Sequence, residues 1–444
     1  MLDQYASLCE SFHWQVPTNF NIGEQSCHRW AQSSADARRI ALFFEDSAGH
    51  RDVWTYERLG AATNQFANAL TRMGVKPGDR VATILGQSPE AVVAQLGAFS
   101  VGAIAMPLAH NLAPKALEYR LRDSETRVAV VGPEAAPSLL GILSRCSKLT
   151  QVVSVGFEDD RLLPWRSLMT RQPEVFKPVT TRAEDPALLI YSNDAGLPVR
   201  GTLLAHHALL GALPGFVASQ QWFPQGAEVF WTPLDWAHPS ALLCGVLPAL
   251  YFGRAVLGVR GATTPGLAQQ LLERYPISHA LVPGALLRQF KLNTLPEPKP
   301  LRLRSIAIMD EALEEALAQW SEQHFGFKLN QLFGNIEMPA LIGESHQKWT
   351  SRTGSLGKVF PGHRVAVLNE DGSETLCGNV GELAVHRLDR HGHPDPAVPL
   401  RLWRTEAEGN MIATHEWWRT GELARIDSDG FVWYEGRKTR SRSA

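Results

Sequence analysis

The sequence predicts an α/β fold with two helix-covered mixed or parallel sheets and a small C-terminal β-rich subdomain. Three observations predict it. Helical and strand periods alternate through roughly the first 350 residues, the texture turns to short alternating strands from about residue 355, and the composition is that of a globular chain. With 444 residues, 44% hydrophobic and 20% charged, the chain has ample material for a large core.

Taken in order, Leu59, Ala62, Phe66, Leu70 and Met73 recur at helical spacing, close at Gly74 and the Pro77-Gly78-Asp79 turn, and lead into a strand from Val81 to Leu85. A second unit opens at Pro89 and ends near Gly102 before another short strand. A third gives a strand from Arg127 to Val131. Repeated helix–strand units of this length imply parallel sheets covered on both faces. The run from Ala241 to Phe252 reads as a buried helix; it contains Pro248 and is too short to span a bilayer. Toward the C-terminus, the Asn369-Glu370-Asp371-Gly372 and Asp427-Ser428-Asp429-Gly430 turns predict antiparallel hairpins. The closing residues 438–444 are basic and polar and read as a fraying tail.

Charge and cysteine usage exclude some function classes. Lys plus Arg number 43 against 45 Asp plus Glu, a net charge of -2, so no global field draws nucleic acid or an anionic membrane. Cys9, Cys27, Cys146, Cys244 and Cys377 are scattered, with no CxxC pair and no histidine at metal-ligand spacing, and read as reduced thiols of a cytoplasmic protein. The N-terminus lacks a basic region followed by an apolar core and carries no signal-peptide pattern.

The stretch "LLIYSNDAGLPVRGTLLAH", residues 188–206, carries the first chemical hint. A buried strand stops at Tyr191, ten turn-like residues follow, and Thr202 to Ala205 is read as the opening of a helix, an arrangement suited to phosphate. With it stand "FWTPLDWAHPSALLCGVLPALYFG", "LFGNIE", "GSLGKVFPGHRVAVLNEDG", "GELAV" and "WWRTGELARIDSDGFVWYEGR". Together these collinear segments resemble the large N-terminal domain of AMP-forming acyl-CoA synthetases, within the adenylate-forming superfamily, and look closest to the medium-chain members. The resemblance covers residues 1–437, with α/β subdomains to about residue 350 and the β-rich part over about 351–437. It implies ATP, Mg²⁺ and coenzyme A as cofactors and a carboxylic acid as substrate, activated to an acyl-adenylate with release of pyrophosphate.

The motifs match unevenly. The family's phosphate loop reads TSGTTGxPKG, and this chain has SNDAGLPVRG: Ser192, Arg200 and Gly201 remain similar, while Asp194 replaces a glycine. A carboxylate about 4 Å from a phosphate opposes binding by on the order of 4 kcal/mol at an effective dielectric near 20. An Asx-type turn joining the two elements explains Asn193 and Asp194 equally well. "IMDEAL" stands at the adenine segment with Met309 and Asp310 at positions the family keeps small, and it also reads as the start of a helix capped by Asp310. In "LFGNIE" the resemblance gives Phe333 to adenine stacking and Glu337 to Mg²⁺ and catalysis, with Ile336 in place of a threonine. Arg200 stands at the phosphate-contacting lysine, a second catalytic candidate. Glu422 stands at the ribose-binding aspartate and Arg437 at the nucleotide-contacting arginine before the family's hinge.

On the acid side, Trp236, His238 and Gly334 match the acyl pocket; Trp236 serves equally as core filling, and His238 is a weak candidate for a general base. The family's C-terminal lid, which supplies a catalytic lysine, has no counterpart after Arg437. The sequence is therefore read as an acyl-CoA synthetase impaired in the first step, completed by a separate lid domain or partner protein, or as a non-catalytic relative that binds an acid or a partner.

Overall fold

The computed structural model describes residues 3–192, 199–292, 301–309, 312–404 and 416–438, and three sheets organise them. The first has nine strands, in spatial order Lys358–Val359, Ile342–Gly343, Asn330–Phe333, Ser305–Met309, Ile277–Pro283, Val229–Trp231, Ala255–Val259, Ile40–Glu45 and Arg51–Thr55. Six neighbouring strands, Asn330–Phe333 through Ile40–Glu45, run parallel, and antiparallel strands close both edges. The second has eight, Arg401–Leu402, Gly201–Ala205, Pro186–Tyr191, Ile104–Pro107, Arg80–Ile84, Val128–Val131, Gln151–Ser154 and Leu163–Pro164. The last six of these are parallel. Four antiparallel strands, Val365–Leu368, Gly381–His386, Trp417–Ile426 and Val432–Arg437, form the third.

Local sequence explains the elements. The helix Tyr56–Arg72 starts where the Thr55 hydroxyl accepts from the Arg58 amide, and Pro89–Ser100 starts at Ser88, whose hydroxyl accepts from Ala91, with Pro89 in the first turn. These two helices pack through Phe66 against Gly97, where a Cβ would stand 2.7 Å from the Phe66 ring. Strands such as Ile104–Pro107 and Val128–Val131 are buried along their whole length, as parallel strands between helical layers require. The main core lies between those layers and includes Tyr56, Leu59, Phe66, Phe99 and Phe216.

The chain departs from expectation in three places. Thr202 opens no helix: Gly201–Ala205 is a strand, antiparallel to Pro186–Tyr191 with Ile190 opposite Thr202, and the helix begins only at Ala208. All five residues of that strand are buried between apolar layers, so tertiary burial overrides the local reading. The turn at 193–198 thus joins two strands; Asn193, Asp194 and Gly196 lie outside the described residues.

The buried helical run is broken. It divides into Pro239–Ala241, the wide turn Leu242–Val246 and Leu247–Tyr251, with Cys244 at φ -113°, ψ 21°. Pro248 has no amide to donate to the carbonyl four residues earlier, which is that of Cys244. The third departure concerns the helix placed at Asp310: it spans Glu315–Phe325 with Glu314 at its cap position, while Asp310 lies outside the described residues.

The segment from residue 351 onward also reaches beyond the small sheet. Lys358–Val359 edges the first sheet and Arg401–Leu402 pairs with Gly201–Ala205 of the second. One stretch of chain thereby ties the three sheets together.

Candidate functional site

The neck of the 191–200 hairpin is held by reciprocal contacts. The Ser192 amide donates to the Arg200 carbonyl at 3.0 Å, and the Arg200 amide donates to the Ser192 hydroxyl at 3.2 Å. From outside, buried Arg120 donates to the Ser192 carbonyl at 3.2 Å, and the Tyr119 hydroxyl to the Val199 carbonyl at 3.1 Å. Tyr191 donates to Asp123 at 2.6 Å, and burial together with that carboxylate pushes its phenol well above the usual range. Gly201 is hemmed in, since a Cβ there would approach Trp403 Cβ to 2.9 Å. The loop's base is therefore a fixed platform.

One residue past the neck, Thr202 Oγ1 donates to Glu337 Oε1 at 3.3 Å, joining the second sheet to the turn after strand Asn330–Phe333 of the first. That turn is capped by Asn335: its Oδ1 accepts from the Met338 amide at 2.8 Å, beside the backbone bond from the same amide to the Asn335 carbonyl at 3.2 Å. Gly334 is there for space, because a Cβ would lie 2.0 Å from the Met338 carbonyl oxygen. Ile336 packs partly buried against the main core.

The third sheet supplies the opposite wall. Phe333, 6% exposed, meets Tyr434 with ring centroids 5.6 Å apart and planes inclined at 57°. The Tyr434 hydroxyl donates to Glu422 Oε2 at 3.0 Å, while Arg437 Nε lies 3.5 Å from Glu422 Oε1. Glu422 and Arg437 are register partners across the hairpin. Burial, and next the neighbouring Glu422 charge, push the Tyr434 phenol up to about 12. The result is an aromatic wall beside a carboxylate gripped by a phenol and a guanidinium.

Aromatic rings and a carboxylate are the groups that recognise a heterocycle and sugar hydroxyls, by stacking and by accepting hydrogen bonds. Glu337 supplies one hard carboxylate oxygen, which fits Mg²⁺, an ion that takes one or two carboxylates plus substrate phosphates. The described residues hold no group of three or more candidate metal ligands.

The structure gathers Ser192, Arg200, Gly201 and Glu337 at the hairpin base, and Phe333, Glu422 and Arg437 at the third sheet. It treats the acid side differently. Trp236 is 2% exposed, and its ring fills the space over Gly258, where a Cβ would come within 2.7 Å. His238 Nδ1 accepts from the Ser240 amide at 3.3 Å as a helix cap, and burial lowers its pKa. Between this packed region and Glu337 lies a void of about 10 Å³, bounded by Leu243, Met338 and Ala340, room for one water.

Two site residues escaped the sequence reading. Thr202 was absorbed into the expected helix, and Tyr434 stood inside the motif "WYEGR" without a role. The observed register pairs 426 with 432 and 424 with 434, which sets Tyr434 diagonal to Glu422, one residue off the pairing that counting outward from the 427–430 turn gives.

With this geometry in view, comparisons with known proteins agree on one kind of relative. The family model described as "AMP-binding enzyme" matches residues 28–388. The chain is 26% identical over 426 residues to the uncharacterized acyl–CoA ligase YtcI of Bacillus subtilis, covering 95% of this chain and 77% of that protein. Its fold superposes on the Brucella canis acyl-CoA synthetase with a TM-score of 0.85 at 22% identity, over 98% of this chain and 80% of that one. ATP-bound MatB from Rhodopseudomonas palustris gives 0.80 at 20% identity, over 94% and 79%. No helix among the described residues is long and apolar enough to cross a membrane.

Proposed function

This chain belongs to the AMP-binding enzyme family, and from that premise we propose that it binds MgATP in the cleft between the hairpin base and the third sheet and activates a carboxylic acid as its acyl-adenylate. The observation that carries the reading is the linkage of Phe333, from the first sheet, through Tyr434 to Glu422 and Arg437 of the third. In it Phe333 stacks on the adenine, Glu422 accepts from the ribose hydroxyls, and Arg437 holds the Glu422 carboxylate in place. Glu337, steadied by Thr202, presents an oxygen for Mg²⁺. Arg200 supplies positive charge toward the phosphates, and Ser192 and Gly201 shape the loop's base. Bound MgATP would supply the adenylyl group and the charge screening for attack by the acid; coenzyme A would serve as the later acyl acceptor.

The acid side is Trp236, His238 and Gly334 by position. All three are engaged in packing or capping, so acid entry requires this wall to open around Leu243 and Met338. The test is release of pyrophosphate from MgATP by the purified chain across a panel of aliphatic and aromatic acids. Acid-dependent release that falls in a Glu337→Gln variant supports the reading; no acid-dependent release from any member of the panel opposes it.

A second reading rests on Ile336, which offers no hydroxyl and packs against the core, and on Asp194 in the loop sequence. In that reading the chain binds an acid or a partner without chemistry. It predicts no MgATP binding by calorimetry and no pyrophosphate release.

A further inference from the structure

Tyr434 lies outside the residues that the family motifs assign, yet it makes two contacts at the centre of the wall. Its ring lies against Phe333 at 5.6 Å and its hydroxyl donates to Glu422 at 3.0 Å, while the residue as a whole remains 44% exposed. A tyrosine that merely filled the hairpin surface would need neither contact. The hairpin bulge between Leu423 and Ala424 shifts the register so that Tyr434 sits opposite Ala424 and Glu422 opposite Arg437. That shift lets phenol and guanidinium approach the same carboxylate from two sides, one on each oxygen.

We propose that Tyr434 is a positioning residue for ribose recognition: it fixes the orientation of the Glu422 carboxylate that accepts from the ribose hydroxyls, and its ring extends the Phe333 face toward the sugar. The physical need comes from side-chain length. A glutamate has one more rotatable bond than an aspartate, and a carboxylate held by a phenol and a guanidinium forfeits less rotamer freedom when a ligand arrives. Each carboxylate oxygen has two acceptor sites, so a phenol and a sugar hydroxyl can share one oxygen. The phenol remains protonated at neutral pH and keeps its donor role, because burial and the Glu422 charge both oppose its ionisation. This inference rests on the adenine-nucleotide reading above.

The test uses AMP and 2′,3′-dideoxy-AMP as calorimetric probes of the full chain, since both lack the β- and γ-phosphates and depend little on residues 193–198. The natural chain should bind AMP more tightly than the dideoxy analogue. Tyr434→Phe keeps the ring and removes the hydroxyl; it should weaken AMP about tenfold while leaving the dideoxy analogue within about twofold, the size of one charge-assisted hydrogen bond. Combining it with Glu422→Gln should add little to the loss from Glu422→Gln alone, because both act through one carboxylate. An unchanged AMP-to-dideoxy ratio in Tyr434→Phe, or tighter AMP binding by that variant, overturns the role of Tyr434 and leaves nucleotide binding intact. A natural chain that binds neither probe overturns both readings together.

Discussion

The two walls of the cleft carry their motif residues in opposite ways. On the nucleotide wall, Phe333 and Glu422 are buried too, but they belong to two sheets and are tied together through Tyr434, with Arg437 on the Glu422 carboxylate. On the acid wall, Trp236 lies over Gly258, His238 caps a helix, and Gly334 makes room for the Met338 carbonyl. The difference teaches that matching a motif and presenting its chemistry are separate achievements. One wall is held by directional polar contacts across a strand register, whereas the other is held by close apolar packing and a helix cap.

The comparison breaks most visibly at Trp236. Trp236→Ala should destabilise the fold by about 3–5 kcal/mol, the usual cost of emptying a buried aromatic site, while leaving AMP affinity within about twofold in the fraction that folds. Denaturant unfolding and calorimetry read the two quantities separately. A stable Trp236→Ala protein would show that the residue is not the packing element described. Phe333→Ala is the converse case: nucleotide affinity should drop by about tenfold to a hundredfold, in the range of about 1–3 kcal/mol for a base stacked on an aromatic ring. A loss of stability without a loss of affinity there would erase the distinction between the walls.

His238→Ala should cost about 1 kcal/mol of stability, as for other lost helix caps, and should leave the pH profile of any pyrophosphate release unchanged. A profile that loses its acidic limb in this variant would restore His238 as a general base. The smallest expected effect concerns Glu344, 3% exposed, which lines a polar cavity of about 180 Å³ with His346, Lys328, Glu322 and Gln331 behind the Asn330–Phe333 strand. Burial pushes its pKa up to about 8 from 4.5. Because the folded value is raised, the neutral acid is preferred in the native state; its contribution is fully present below about pH 4.5 and is lost as pH rises through about 8. Glu344→Gln should therefore match the natural chain near pH 5 and melt roughly 2–4 °C higher near pH 9. Equal melting temperatures at pH 9 would mean that Glu344 ionises without penalty.

The fold was legible because its signals are local: Leu59, Phe66 and Leu70 mark a helix face, and Asp427 to Gly430 marks a hairpin. The strand Gly201–Ala205 was not legible, since five residues that open with a glycine and run into two histidines carry no period that separates strand from helix, and only burial between layers decides. The broken helix at Cys244 was readable in principle from Pro248. At the site, motif resemblance located Phe333, Glu337, Glu422 and Arg437 in the sequence, but their grouping depends on three sheets meeting. The Thr202–Glu337 bond spans 135 residues of sequence, a distance at which spacing conveys nothing.

The central claim is that the nucleotide wall is presented for binding even though the loop sequence carries Asp194. The direct measurement is calorimetric titration of MgATP into the natural chain beside an Asp194→Gly variant. Binding by the natural chain at micromolar to low-millimolar Kd, tightened in the variant, is the predicted result. Absence of binding by both proteins would contradict the claim, because a wall that removal of the opposing charge cannot rescue is not a nucleotide site.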